Sequence, residues 1–129
     1  MSTFLLDTHV LLWALAEPRK LSAPDVAHML DEANELLVSA ASAWEIATKF
    51  RIGKLPHVGP LLDEWDDAIR RLRATPLPID STHGRRAGQF QADHRDPFDR
   101  MLAAQAEHTD CPLLTSDAAF REFPIATIW

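Results

Sequence analysis

The sequence predicts a three-layer α/β domain, with a mainly parallel central sheet flanked by helices. Three observations carry this prediction. Short apolar runs alternate along the chain with longer amphipathic stretches, the pattern of repeated β–α units. An apolar fraction of 47% and a charged fraction of 25% match an ordinary folded soluble protein. No internal repeat, low-complexity run or linker divides the chain, and its 129 residues fit one domain over 1–129.

The elements follow in order. Residues 3–6 (TFLL) are a short apolar run expected as a strand, and 8–17 (THVLLWALAE) as a helix. In 22–34, Ser22 offers an N-cap and Pro24 suits the first turn, ahead of apolar residues at helical spacing. Residues 36–40 (LLVSA) read as a second strand, and 42–53 as a helix ended by Gly53. Over 57–73, Leu61, Leu62, Trp65, Ile69 and Leu72 fall on one helical stripe. Two prolines confine 75–80 (TPLPID) to a sheet edge or an extended segment. A helix over 81–91 comes next. Another, over 96–108, carries acids in its first turn, where the helix dipole favours them. Residues 112–116 (PLLTS) and 125–129 (IATIW) close the chain as strands.

Net charge is −6 with histidine neutral, which argues against a general nucleic-acid coat protein. An enzyme with a local basic rim stays compatible with it. Arginines cluster at Arg70, Arg71 and Arg73, at Arg85 and Arg86, and at Arg95 and Arg100, and each cluster equally suits a solvated helix face. Cys111 is the single cysteine, so no internal disulfide forms and a reducing cytoplasm is the expected compartment. The first basic residue is Arg19, and Asp7 and His9 interrupt the early apolar stretch. Neither a signal peptide nor a membrane span is expected there.

Asp7 poses the chemical question. It lies between Phe4-Leu5-Leu6 and Val10-Leu11-Leu12-Trp13, and a carboxylate between two buried segments is costly unless compensated. In open parallel sheets the ligand crevice lies beyond the carboxyl ends of the strands. Asp7 follows one strand and Asp117 follows another. Asp96 and Asp99, three apart in DPFDR, share a helix start, and Glu45 sits among Trp44, Ile46, Ala47 and Phe50. Two carboxylates about 4 Å apart repel by about 4 kcal/mol at an effective dielectric near 20. A gathering of acids therefore calls for protonation or for a hard cation such as Mg²⁺ or Mn²⁺, which takes oxygen ligands. Each acid also has a plain structural role open to it. Asp7 and Asp117 can be N-caps, Asp99 a first-turn dipole residue, and Glu45 an ion-pair partner of Lys49. His9 and His94 are expected at the surface or behind the ligands. His108 and Cys111 lack the rest of a zinc set.

Four stretches, LLDTHVLLW, VSAASAWEIATKFRIGKL, DHRDPFDRMLAAQA and LLTSDAAF, in that order over nearly the whole chain, resemble the PIN domain. Within that family they are similar to the VapC-type toxins of bacterial toxin–antitoxin pairs; residues 54–93 carry none of the chemistry. The resemblance implies a compact PIN-like fold and an acidic quartet of Asp7, Glu45, Asp99 and Asp117. Asp96 is an auxiliary acid, and Thr115 and Ser116 are hydroxyls able to hold a water or phosphate. It also implies Mg²⁺- or Mn²⁺-dependent endoribonuclease activity, a cognate antitoxin and a homodimer. Arg95 and Arg100 are the first candidates to clamp phosphate oxygens. Lys49 and Arg51 are candidates for an RNA rim, and Trp13 is a candidate for either an antitoxin-facing surface or the core.

Rival readings are a phosphoacceptor receiver domain, a silent binding module on the same fold, and a PIN-type nuclease acting outside a toxin pair. The receiver reading fails on acid placement: Asp7 stands alone after the first strand, and the run LLVSAAS ends without an acid.

Overall fold

The computed structural model of the protein describes residues 1–129. Five strands, β1 (Thr3–Leu6), β2 (Glu35–Ser39), β3 (Ala74–Leu77), β4 (Leu113–Leu114) and β5 (Thr127–Ile128), form one sheet in the order β3-β2-β1-β4-β5. Every neighbouring pair is parallel, with Leu5 opposite Leu37 on one side and Leu113 on the other. Seven α-helices cover the two faces: α1 (Thr8–Ala16), α2 (Ala23–Leu30), α3 (Ala40–Arg51), α4 (Gly59–Asp63), α5 (Trp65–Arg71), α6 (Ser81–Gln89) and α7 (Pro97–Thr109). No helix is long and apolar enough to cross a membrane.

Alternation along β1 builds both layers. Leu5, with Leu37 and Leu113, points into a cluster with Ala87 and Phe90 at the end of α6, Leu102, Ala103, Ala104 and Ala106 of α7, and Phe120 and Phe123. Phe4 and Leu6 point the other way, joining Leu36, Val38 and Leu114 against Val10 and Leu11 of α1, Ile46 of α3 and Ile69 of α5. Each fully buried leucine contributes about 1.5–3 kcal/mol relative to exposure. The central strand is therefore held from both sides.

Three expectations are corrected. The stripe over 57–73 is real but serves two short helices, because Glu64 (φ −113°, ψ 30°) leaves helical dihedrals between them. Val58 and Ile69, on either side of that break, reach the same apolar cluster. The helix expected over 22–34 stops at Leu30, where the Asp31 carboxylate accepts the Ala33 N–H and turns the chain toward β2. The closing strands shorten to two residues each. The edge position of β3 is as expected, since Pro76 has no N–H to donate to a second neighbour. Trp13 is half-buried, with its ring centroid 5.6 Å from that of Trp129.

Candidate active site

From β1 the chain winds through β2 to β3 on one side of the sheet, then returns to place β4 and β5 on the other. That reversal opens a crevice at the carboxyl ends of β1 and β4. Asp7 sits there, only 4% exposed, directly after β1. Its Oδ1 accepts the Thr8 N–H at 2.7 Å, capping α1, and its Oδ2 accepts the Thr115 hydroxyl at 2.7 Å. The backbone holds the same junction, with the Asp7 N–H donating to the Leu114 carbonyl at 3.0 Å.

Thr115 thus faces a carboxylate rather than a free water or phosphate. Its oxygen also accepts the Asp117 N–H at 3.0 Å, linking the two strand ends in one chain of hydrogen bonds. The Asp117 carboxylate is exposed and accepts the Ala119 N–H at 2.9 Å, capping a short 3₁₀ turn over Ala118–Glu122. Ser116 is exposed beside it.

The other acids arrive on α3 and α7. Ser39, at the end of β2, caps α3 by accepting the Ala41 N–H at 2.9 Å and donates its hydroxyl proton to Oε1 of Gln105 on α7. Gln105 donates onward to the Pro78 carbonyl at 3.2 Å, and the Thr8 and Ser42 hydroxyls meet at 2.9 Å between α1 and α3. These polar ties fix Glu45, 3% exposed, in the crevice. Lys49 Nζ lies 2.5 Å from Glu45 Oε2, whereas Glu45 Oε1 is buried with no partner. Asp99 lies in the first turn of α7, its Oδ2 2.7 Å from His94 Nε2. Asp96 caps α7 by accepting the Phe98 and Asp99 N–H groups.

Electrostatics join these groups. Burial pushes the Asp99 carboxyl up to about 7; the His94 hydrogen bond opposes the rise, and Asp96, Asp7 and Glu45 add repulsion. Burial also raises Asp7, against the Thr115, His9 and Thr8 interactions, with Glu45 adding to the rise. Burial alone would lower Lys49, but its bond to Glu45 and the charges of Glu45, Asp96 and Asp99 outweigh that and raise it. Asp7, Glu45, Asp96 and Asp99 therefore share one field.

The geometry is not a closed cage: no three His, Cys, Asp or Glu side chains converge closely enough to hold an ion as they stand. Glu45 is turned to Lys49 and Asp99 to His94. The donor set nevertheless fits a hard cation. It is made of oxygens, it leaves one buried carboxylate atom unsatisfied, and it raises two carboxyls that added positive charge would bring down. The plain roles of capping and ion pairing are all present too, and coexist with the crevice.

Arg100 corrects an expectation. Its guanidinium donates to the carbonyls of Ala87, Gly88, Phe90, Ala92 and His94, so all its N–H groups are used in tying α7 to the end of α6 and to the 90–94 segment. None is left for a phosphate. Arg95 is exposed and remains the arginine free to reach one. Sequence reasoning missed Gln105, whose signal was a lone amide in the apolar run LAAQA, and it missed the pairing of His94 with Asp99.

Residues 4–126 match the PIN domain family model. A protein named "Ribonuclease VapC22" from Mycobacterium tuberculosis (strain ATCC 25618 / H37Rv) is 30% identical over 136 aligned positions, covering 100% of both chains. "Ribonuclease VapC16" of the same strain is 47% identical over 53 residues, which is 41% of this chain and 38% of that protein's length. Among solved structures, a chain in VapBC2 from Rickettsia felis, bound to a DNA fragment from its promoter, superposes with a TM-score of 0.70 at 13% identity. That match covers 98% of this chain and 97% of the other and speaks to the fold alone.

Proposed function

Because the chain belongs to the PIN domain family, we propose that it is a divalent-cation-dependent endoribonuclease, the toxin of a toxin–antitoxin pair, with the crevice as its active site. The observation that carries the reading is the buried, partnerless Oε1 of Glu45 beside Asp99, a carboxyl pushed up to about 7. Burial of this kind costs stability that no packing role returns. Asp7, Asp99 and Glu45 would hold Mg²⁺ or Mn²⁺, with Asp117 closing the β4 side and Asp96 supporting Asp99. A bound cation supplies charge to stabilise the phosphodiester transition state and makes a water acidic enough to attack.

The protein's own groups set the geometry. Thr115 and the Thr8 N–H pin both oxygens of Asp7. His94 orients Asp99, and Lys49 holds one oxygen of Glu45 while leaving the other free. The names of the two ribonuclease relatives support RNA as substrate. The VapBC2 complex that contains the similar fold supports a cognate antitoxin, and a homodimer in the cytoplasm accompanies this reading. Two apolar clusters sharing one sheet support residues 1–129 as a single domain.

The test is cleavage of a mixed pool of structured cellular RNAs with Mg²⁺ or Mn²⁺, comparing wild type with Asp7→Asn and Asp99→Asn. Discrete cuts that vanish with EDTA and in both variants are expected. Absence of cleavage by folded wild type freed of any bound antitoxin would move the protein to a silent binding role.

A further inference from the structure

Glu45 lies between two features of which the cleavage chemistry uses only Lys49. On one side, Trp44 of α3 is 54% exposed and meets Phe98 of α7 edge-to-face, with ring centroids 4.6 Å apart. Each ring is one residue away from an acid, Glu45 or Asp99. An indole this large left half in water costs apolar hydration that burial against α7 could have relieved. On the other side is a cleft of about 260 Å³ lined by Thr8, His9, Leu12, Lys49, Lys54 and Leu55. Lys54 reaches it because Gly53 takes φ +81° and folds the chain back on α3, so that the Lys54 and Leu55 N–H groups both donate to the Lys49 carbonyl.

Helix geometry sets the order. At about 100° per residue, Glu45 stands about 100° around α3 from Trp44, and Lys49 about 140°. The carboxylate is thus flanked by an aromatic face on one side and by cationic groups on the other. Flat apolar rings offer stacking to an unpaired base whatever its identity, and ammonium groups in a cleft offer contacts to the adjoining phosphate.

Resting on the ribonuclease reading above, we propose that unpaired RNA crosses α3 here, stacking one base on the Trp44–Phe98 pair and seating a neighbouring phosphate in the His9–Lys49–Lys54 cleft. Trp44 and Lys54 are then substrate-binding residues that act apart from the acids. Duplex RNA, with no free base face, gains nothing from the platform.

The experiment uses the full chain in an Asp7→Asn background with Mg²⁺, so that bound RNA stays intact. Fluorescence anisotropy follows a labelled, unstructured, random-sequence RNA of about a dozen nucleotides across a salt series. Trp44→Ala is expected to weaken binding about 5- to 150-fold without changing the salt slope, and Trp44→Phe to retain most of the affinity. Lys54→Met is expected to reduce the slope by about 0.7, the loss of one single-strand phosphate contact. Thermal unfolding and sedimentation of each variant accompany the titrations.

Unchanged affinity in Trp44→Ala, equal losses in Trp44→Ala and Trp44→Phe, or an unchanged slope in Lys54→Met would each overturn the proposal. So would a Trp44→Ala variant that changes its association state and keeps its RNA affinity, which would make the aromatic pair a contact between copies. Cleavage by wild type with both variants unaffected would sink this assignment alone. Absence of both cleavage by wild type and binding by the parent would sink the ribonuclease reading along with this assignment.

Discussion

Asp99→Asn is expected to stabilise the cation-free protein while abolishing its response to the cation. Asp99 titrates near 7 instead of its ordinary 3.8, mainly because it is buried. Each pKa unit is about 1.36 kcal/mol, so a fully dry carboxylate with that change would cost about 4 kcal/mol at pH 8. The group keeps some access to solvent, and screening reduces the figure to about 2 kcal/mol. The sign follows from the direction: the folded pKa lies above the unfolded one, so the native state binds the extra proton. Stability on this account is intact below about pH 4, falls between about 4 and 7, and is flat above about 8. Asparagine carries no charge and should remove that fall. At about 2.1 cal/mol/K per residue, 2 kcal/mol corresponds to a Tm about 7 °C higher for Asp99→Asn at pH 8. Urea and thermal unfolding in EDTA from pH 4 to 8.5 measure the gap. Saturating Mg²⁺ at 100 times its Kd should raise wild type by about 2.7 kcal/mol and leave the variant unmoved. A variant less stable than wild type at pH 8, or a gap that does not change with pH, would refute the reasoning.

Thr115→Val removes the hydroxyl proton given to Asp7 and the acceptor of the Asp117 N–H, and should cost about 1–3 kcal/mol in denaturant unfolding. The same change raises Asp7 further, so Mg²⁺ binding followed by calorimetry should need a higher pH. Arg100→Lys should destabilise by about 3 kcal/mol or more, because an ammonium cannot replace a fork spread over five carbonyls, while Arg95→Ala stays within about 0.5 kcal/mol; unfolding midpoints compare the two. Asp25 is buried on α2 with neither carboxylate oxygen partnered, and burial raises its pKa against His28 and Ser22. Its folded pKa lies above the unfolded one, so its charge penalises folding increasingly as pH rises from about 4. Asp25→Asn should therefore gain on wild type in unfolding free energy between pH 4 and pH 8, and a constant difference would count against the buried charge.

How much was legible in the sequence follows from the range of each interaction. The β–α alternation, the two-sided burial of Phe4, Leu5 and Leu6, the caps at Ser22, Asp7 and Asp117 and the stop at Gly53 are local. They depend on residues within a turn or two, whose periodicity can be read directly. The placing of Asp7 and Asp117 at strand ends is local too. The break at Glu64 was not legible, because Leu61, Leu62, Trp65 and Ile69 keep helical spacing through it.

The workings of the crevice were settled only by the tertiary structure. Thr115 and Asp7 bond across 108 positions of sequence, and Ser39 and Gln105 across 66. The alternatives for Arg100, phosphate clamp or carbonyl cradle, differ only in where the end of α6 and the 90–94 segment lie relative to α7. By itself the sequence determined the layers, the parallel sheet and the acids delivered to its carboxyl edge, because strand and helix periods encode which face each residue takes. Only the tertiary structure decided that Asp99 pairs with His94, that Glu45 keeps one free oxygen and that Asp117 stays in solvent. Those outcomes depend on distances between elements, which no local period contains.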